Sequence, residues 1–213
     1  MTDHPDQKNT VQRLIESRPA VFVFLLALAF LAHFLYSRGF GLYADDYTYI
    51  VPYMFKPLST VTSKLKETFD LLITANLGRG LGRPFIFLFY GVFGVIGSKI
   101  AGLWGVILIG WLIISVNAYL FYRVLSRTVS AEAGFIGAII LILFPAHTLH
   151  QWPSFNFAMD ASATFLLLAT LSYLKGRRVA PYFIITASLL TYESFFLPFF
   201  AVPLLLDMKW DRG

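Results

Sequence analysis

Two carboxylates stand side by side in Leu42-Tyr43-Ala44-Asp45-Asp46-Tyr47-Thr48-Tyr49, just beyond the first apolar run long enough to cross a bilayer. Acids beside a membrane cost free energy unless they face water, a partner or a substrate, so each is a candidate functional group. Adjacent carboxylates repel and cannot both aim at one point from a helix or strand. At most one of them is then a base, and the other positions it, binds a metal or faces water. The plainer alternative is that Asp45 caps a short helix beginning at Asp46.

Other reactive side chains are scattered along the chain. Arg79 and Arg83 lie in Asn76-Leu77-Gly78-Arg79-Gly80-Leu81-Gly82-Arg83-Pro84, a Gly-rich loop ended by a Pro suited to a helix start. Two guanidiniums there suit bidentate contact with phosphate, or simple anchoring to anionic headgroups. His147 and His150, spaced i, i+3, share a helical face, but two His without a third ligand make a weak zinc signal. Gln151, Trp152 and Asn156 follow them. Asp160 reads as an acid near a helix N-terminus, where the dipole favours it. Glu193, beside Tyr192, lies between apolar runs with no basic residue near it in sequence, so it needs water, a cavity or a distant partner. Tyr43, Tyr47, Tyr49 and Tyr53 form an aromatic belt whose rings could also stack on sugars.

The elements that hold these groups must be membrane helices. Hydrophobic residues make up 57% of the 213 and charged residues 14%, too greasy a balance for a water-soluble domain. The fold class expected is all-α, a polytopic transmembrane bundle with a long extracytoplasmic first loop carrying interfacial helices. Crossings are expected at about 20–36, 101–122, 133–147, 157–174, 179–192 and 195–208, with the outer loop at 37–100. An amphipathic stretch over Ser63–Leu72 lies on the surface, its apolar residues at 65, 69 and 72. Phe85–Ile96 is about two-thirds of the length a span requires. Reading it as re-entrant or interfacial puts Arg123, Arg127 and Lys175-Gly176-Arg177-Arg178 on the cytoplasmic side with the N-terminus, as the positive-inside rule favours. Asp45, Asp46, Arg79, Arg83, His147, His150, Asp160, Tyr192 and Glu193 then collect on the outer face. The formal charge of +5 is topology rather than a nucleic-acid signal, and zero Cys excludes disulfides, thiolate metal sites and a cysteine nucleophile.

This layout resembles the N-terminal half of the GT-C superfamily, the integral-membrane glycosyltransferases that use polyprenyl-phosphate sugars. The residues carrying the resemblance are Tyr43-Ala44-Asp45-Asp46, Gly82-Arg83-Pro84, Tyr122-Arg123-Val124-Leu125-Ser126-Arg127 and Tyr192-Glu193 before a Pro-containing apolar run. The resemblance implies sugar transfer to a glycan, lipid or protein hydroxyl outside the cytoplasm, at a bacterial inner or plasma membrane. Asp45 or Asp46 would be the base, and Arg79, Arg83 and His147 or His150 would hold the phosphate, with Asp160, Tyr192 and Glu193 also facing substrate. Some relatives need a divalent metal and others do not. Family members usually carry more spans, so an incomplete module, inactive as it stands, is an expectation alongside. Two other classes remain: a transporter or flippase, and a non-catalytic membrane subunit.

Overall fold

The computed structural model describes residues 15, 17–35, 41–43, 45–64, 66, 83–144 and 152–207. All regular structure among them is helical, with no strand. The helices are α1 (Arg18–Phe34), α2 (Asp45–Tyr49), α3 (Pro84–Ala101), α4 (Leu103–Thr128), α5 (Ala131–Leu143), α6 (Pro153–Leu174) and α7 (Ala180–Thr191). α3, α4 and α6, at 18, 26 and 22 residues, are each long and apolar enough to cross a membrane. This is a membrane protein.

α3 and α4 form a hairpin with one residue between them, Gly102, whose φ of +58° is left-handed backbone that glycine adopts without a Cβ penalty. Below the turn the two backbones nearly touch. A Cβ on Gly105 would sit 2.0 Å from the Gly97 carbonyl oxygen, and one on Gly97 would sit 2.7 Å from the Val106 backbone. Neither neighbour can swing away. Gly105→Ala should therefore destabilise the hairpin by about 1–3 kcal/mol through overpacking, read as a lower unfolding midpoint in detergent. This contact also explains why α3 outruns the expected Phe85–Ile96. Gly97 is packed rather than loose, and the Ser98 hydroxyl folds back on the Val95 carbonyl at 3.1 Å. Polar residues that look like a terminus are absorbed into the last turn.

Aromatic contacts set the directions of the other helices. Phe30 stands edge-on to Trp111 and Phe22 to Tyr119, so α1 runs antiparallel to α4. Phe157 meets Phe93 while Leu171 clusters with Leu120 and Val124, so α6 runs parallel to α4. α5 starts from a Ser130 cap, whose hydroxyl accepts from the Ala133 N–H at 3.1 Å. It ends where His33 bonds the Ile142 carbonyl at 2.8 Å. α7 returns along α6 through a serine zipper, Ser162 Oγ to Ser188 Oγ at 2.6 Å and Ser162 Oγ to the Tyr192 carbonyl at 2.8 Å. Interhelical bonds of this kind contribute about 0.6 kcal/mol each in lipid.

Consequently the ends of α1, α3 and α5 and the starts of α4 and α6 share one end of the bundle, which also holds Lys56 and Lys99. Arg18, Arg123, Arg127, Lys175, Arg177 and Arg178 lie at the other. Two boundaries differ from expectation. α6 begins at Pro153, not near 157, because Pro supplies the first helical φ and leaves no orphan N–H there. The crossing expected at 195–208 is not one helix: Pro198 and Pro203 break its described part into two 3₁₀ turns, Glu193–Phe195 and Leu197–Ala201, and the four-residue Leu204–Asp207. Of Ser63–Leu72, residues 63, 64 and 66 are described and helical, and the remainder lies outside the described residues.

Candidate functional site

The acidic pair is divided by burial. Asp46 is completely buried, and both its oxygens are committed. Oδ2 accepts from the Tyr43 N–H at 3.0 Å, as the reaching-back carboxylate of a capping box does. Oδ1 accepts from the Ser154 N–H at 2.8 Å, in the first turn of α6. Helix starts leave N–H groups without intrahelical partners and carry partial positive charge, so a carboxylate is well suited to this one. Asp46 thereby ties α2 to α6. Capping expected of Asp45 falls instead to its neighbour, and α2 begins at Asp45.

Asp45 is exposed. Around it the tyrosines separate by role. Tyr43 (60% exposed) stacks on Trp152 at 5.2 Å between ring centroids, and Tyr47 (62%) stands open to solvent. Tyr53 is buried, and half-buried Tyr49 stacks on buried Tyr90 of α3 at 5.2 Å. Below them, Gly94 admits Ile50 and Tyr53 against the α3 backbone. Tyr49 and Tyr90 thus stack against each other at α3, while Asp45, Tyr43 and Tyr47 of the same short stretch stay exposed.

Tyr90 is the residue that sequence reasoning missed. It lies within electrostatic reach of Asp45, Asp46 and Arg83 together. Its signal was a single helix face, Arg83, Phe87, Tyr90 and Gly94, on which a phenol interrupts apolar residues.

Arg83 precedes α3 and is engaged. Its guanidinium makes a bidentate pair with Glu193, Nε to Oε2 at 2.6 Å and Nη2 to Oε1, and lies 4.2 Å over the Tyr192 ring. Arg83 is the distant partner of Glu193, 110 residues away. The corner is level with Ser162, about 14 Å along α6 from its start at 1.5 Å per residue. The expectation of one outer lip thus resolves into two depths, the acids at the start of α6 and the clasp further down, with Tyr90 between.

Hydrogen bonding to Arg83 holds the Glu193 carboxyl below its ordinary range, and Glu193 raises the Arg83 guanidinium. A lowered carboxyl stabilises the fold above the unfolded pKa, and that contribution is lost as pH falls through the folded one. Both groups are more than a third exposed, so the effect stays under about 1 kcal/mol. The melting-temperature gap between wild type and Glu193→Gln should be constant at neutral pH and close in acid, below the usual carboxylate range. A gap that persists unchanged in acid would exclude this account.

Asp160 is not near a helix start. It lies two turns inside α6, at the end of a π-helical turn, Asn156–Asp160, and is 9% exposed. Its carbonyl accepts from Asn117 Nδ2 at 2.8 Å and Thr164 Oγ1 at 2.9 Å. Asn156, expected in a loop, is buried in the same turn, its amide against Gly110. Arg79, His147 and His150 lie outside the described residues, as does Gln151. Among the described residues no three His, Cys, Asp or Glu gather as metal ligands. With Asp46 committed, Asp45 is the carboxylate of this pair left to face a divalent ion. Neither the sequence nor the fold matches any family model, curated protein or solved structure.

Proposed function

We propose that this chain is a membrane glycosyltransferase of the GT-C kind, working at the end of the bundle that bears Asp45. The observation that carries this reading is the asymmetry of the acidic pair: one carboxylate buried and fixed, its neighbour exposed and held still by it. That is how a base is positioned beside a bilayer. The exposed faces of Tyr43 and Tyr47 suit the apolar face of a sugar ring.

In the reaction, Asp45 takes the proton from the acceptor hydroxyl as its oxygen bonds to the anomeric carbon. The bond from that carbon to the phosphate oxygen breaks, and the polyprenyl phosphate leaves with the electron pair. Attack opposite the leaving group inverts the anomeric centre. The positive-inside rule assigns the end holding Arg123, Arg127, Arg177 and Arg178 to the cytoplasm, which turns Asp45 outward.

The test is transfer in membrane vesicles from radiolabelled polyprenyl-phosphate hexoses and pentoses to envelope acceptors. Labelled product that depends on Asp45 supports the proposal. Label that crosses the vesicle membrane with no glycosyl product supports a transporter instead. Single cysteines placed at 45 and 193 should react with an impermeant reagent from outside only.

A further inference from the structure

We infer that Tyr43 and Trp152 form a binding platform for a neutral saccharide, and that the acceptor of the reaction proposed above is a sugar hydroxyl. The second half of that statement rests on the transferase reading, and the first does not. The two rings come from distant parts of the chain, one just before α2 and the other just before α6. They stack at 5.2 Å between centroids with 21° between their planes. Asp46 holds them in register. Its Oδ2 accepts from the N–H of Tyr43 itself, and its Oδ1 accepts from the N–H of Ser154, next but one to Trp152. A fully buried carboxylate thus commits both oxygens to bringing two surface rings face to face. Tyr43 is 60% exposed although Trp152 covers one side of its ring, so the other side is turned to solvent.

Interfacial anchoring is the plainer role for tyrosine and tryptophan beside a bilayer. Anchoring asks only that each ring reach the headgroup level on its own. It gives no reason to stack the two, or to tie their backbones through a buried acid. A stacked pair presents a flat face, and flatness selects the guest. Quaternary ammonium groups are held by aromatic cages, whose rings surround the cation, and parallel rings make no cage. A pyranose offers a flat face of C–H groups, whose partial positive charge matches the negative face of an aromatic ring. Its hydroxyls project around the edge. Asp45, exposed and next but one to Tyr43, is an acceptor for one of them. The same carboxylate repels an anionic sugar, so the guest is neutral. A serine or threonine hydroxyl of a protein acceptor carries no ring to stack.

Maltotriose, mannotriose and galactotriose are neutral probes, and trigalacturonate is the anionic counterpart of the last. Saturation-transfer NMR on the full chain, in a detergent without a sugar headgroup, reads binding with no donor present. At least one neutral trisaccharide should bind saturably, with transfer strongest at the C–H protons of one ring face, and trigalacturonate should not bind. Tyr43→Ala and Trp152→Ala should each weaken binding by about tenfold, the scale of a lost aromatic contact. Both variants keep the bonds to Asp46, because the donors are backbone N–H groups. Tyr43→Phe retains the ring and should bind as wild type does. If an alanine variant fails to fold, the ring-face pattern and the rejection of trigalacturonate decide the matter. No saturable binding of any neutral probe, trigalacturonate binding as tightly as the best of them, or binding unchanged in either alanine variant would overturn the proposal. Sugar binding without glycosyl transfer would keep the platform and end the transferase reading. Asp45-dependent transfer to a protein acceptor, with no sugar bound, would do the reverse.

Discussion

Asp45→Asn is expected to leave the chain inserted and folded while glycosyl transfer falls by about 10²–10⁴-fold, the range for loss of a general base. The substitution is nearly isosteric, and Asp45 is exposed, so folding has little at stake. An amide cannot take the proton that the acceptor hydroxyl must lose, and chemistry has everything at stake. The measurement is product formed per mole of protein in vesicles, with matched unfolding curves. Full transfer by Asp45→Asn would end the assignment of Asp45 as the base. It would also favour a non-catalytic subunit, for which this substitution is silent.

Asp46→Ala should have the converse effect, a loss of about 3–6 kcal/mol of stability. The arithmetic is two hydrogen bonds to a buried carboxylate at roughly 1.5–3 kcal/mol each. That change leaves the buried Ser154 N–H without its acceptor, removes the part-buried bond from the Tyr43 N–H, and releases α2 from α6. Equilibrium unfolding in detergent reads the effect directly. Ser154→Ala should keep the bond from residue 154, because its donor is the backbone. If Asp46→Ala unfolds at the wild-type midpoint, Asp46 is not the tie described above. Together the two acids separate the functions that adjacent residues of one type conceal. One is read in rate and the other in stability.

Much of the helical framework is legible in the chain because lipid imposes it. Apolar runs between basic clusters give the start of α4 and both ends of α6 to within four residues, while α4 runs on past the expected 122 to Thr128, and Pro84 starts α3 as its ring geometry dictates. Boundaries that depend on a neighbour are not legible. Ser98 looks like loop until Gly97 is seen against Val106, and Ser154 and Asn156 look like loop until Pro153 is seen to open α6. The acidic pair is conspicuous in the sequence, but its division of labour is not. Nothing local tells Asp45 from Asp46, because the deciding donor is on a helix 108 residues later. Arg83 and Glu193 fail in the same way, each isolated until α7 returns the chain to α3. Asp160 is misread for a plainer reason, the wrong helix start.

The bond from Asp46 to Ser154 also sets a clock during biogenesis. Ribosomes add about 5–20 residues per second, so the donor leaves the tunnel some 5–20 s after the acceptor. Throughout that interval the acid-bearing segment has crossed or reached the bilayer without its anchor. A nascent chain arrested between the two residues should therefore expose the segment from Tyr43 to Tyr53 to protease, and one arrested beyond α6 should protect it.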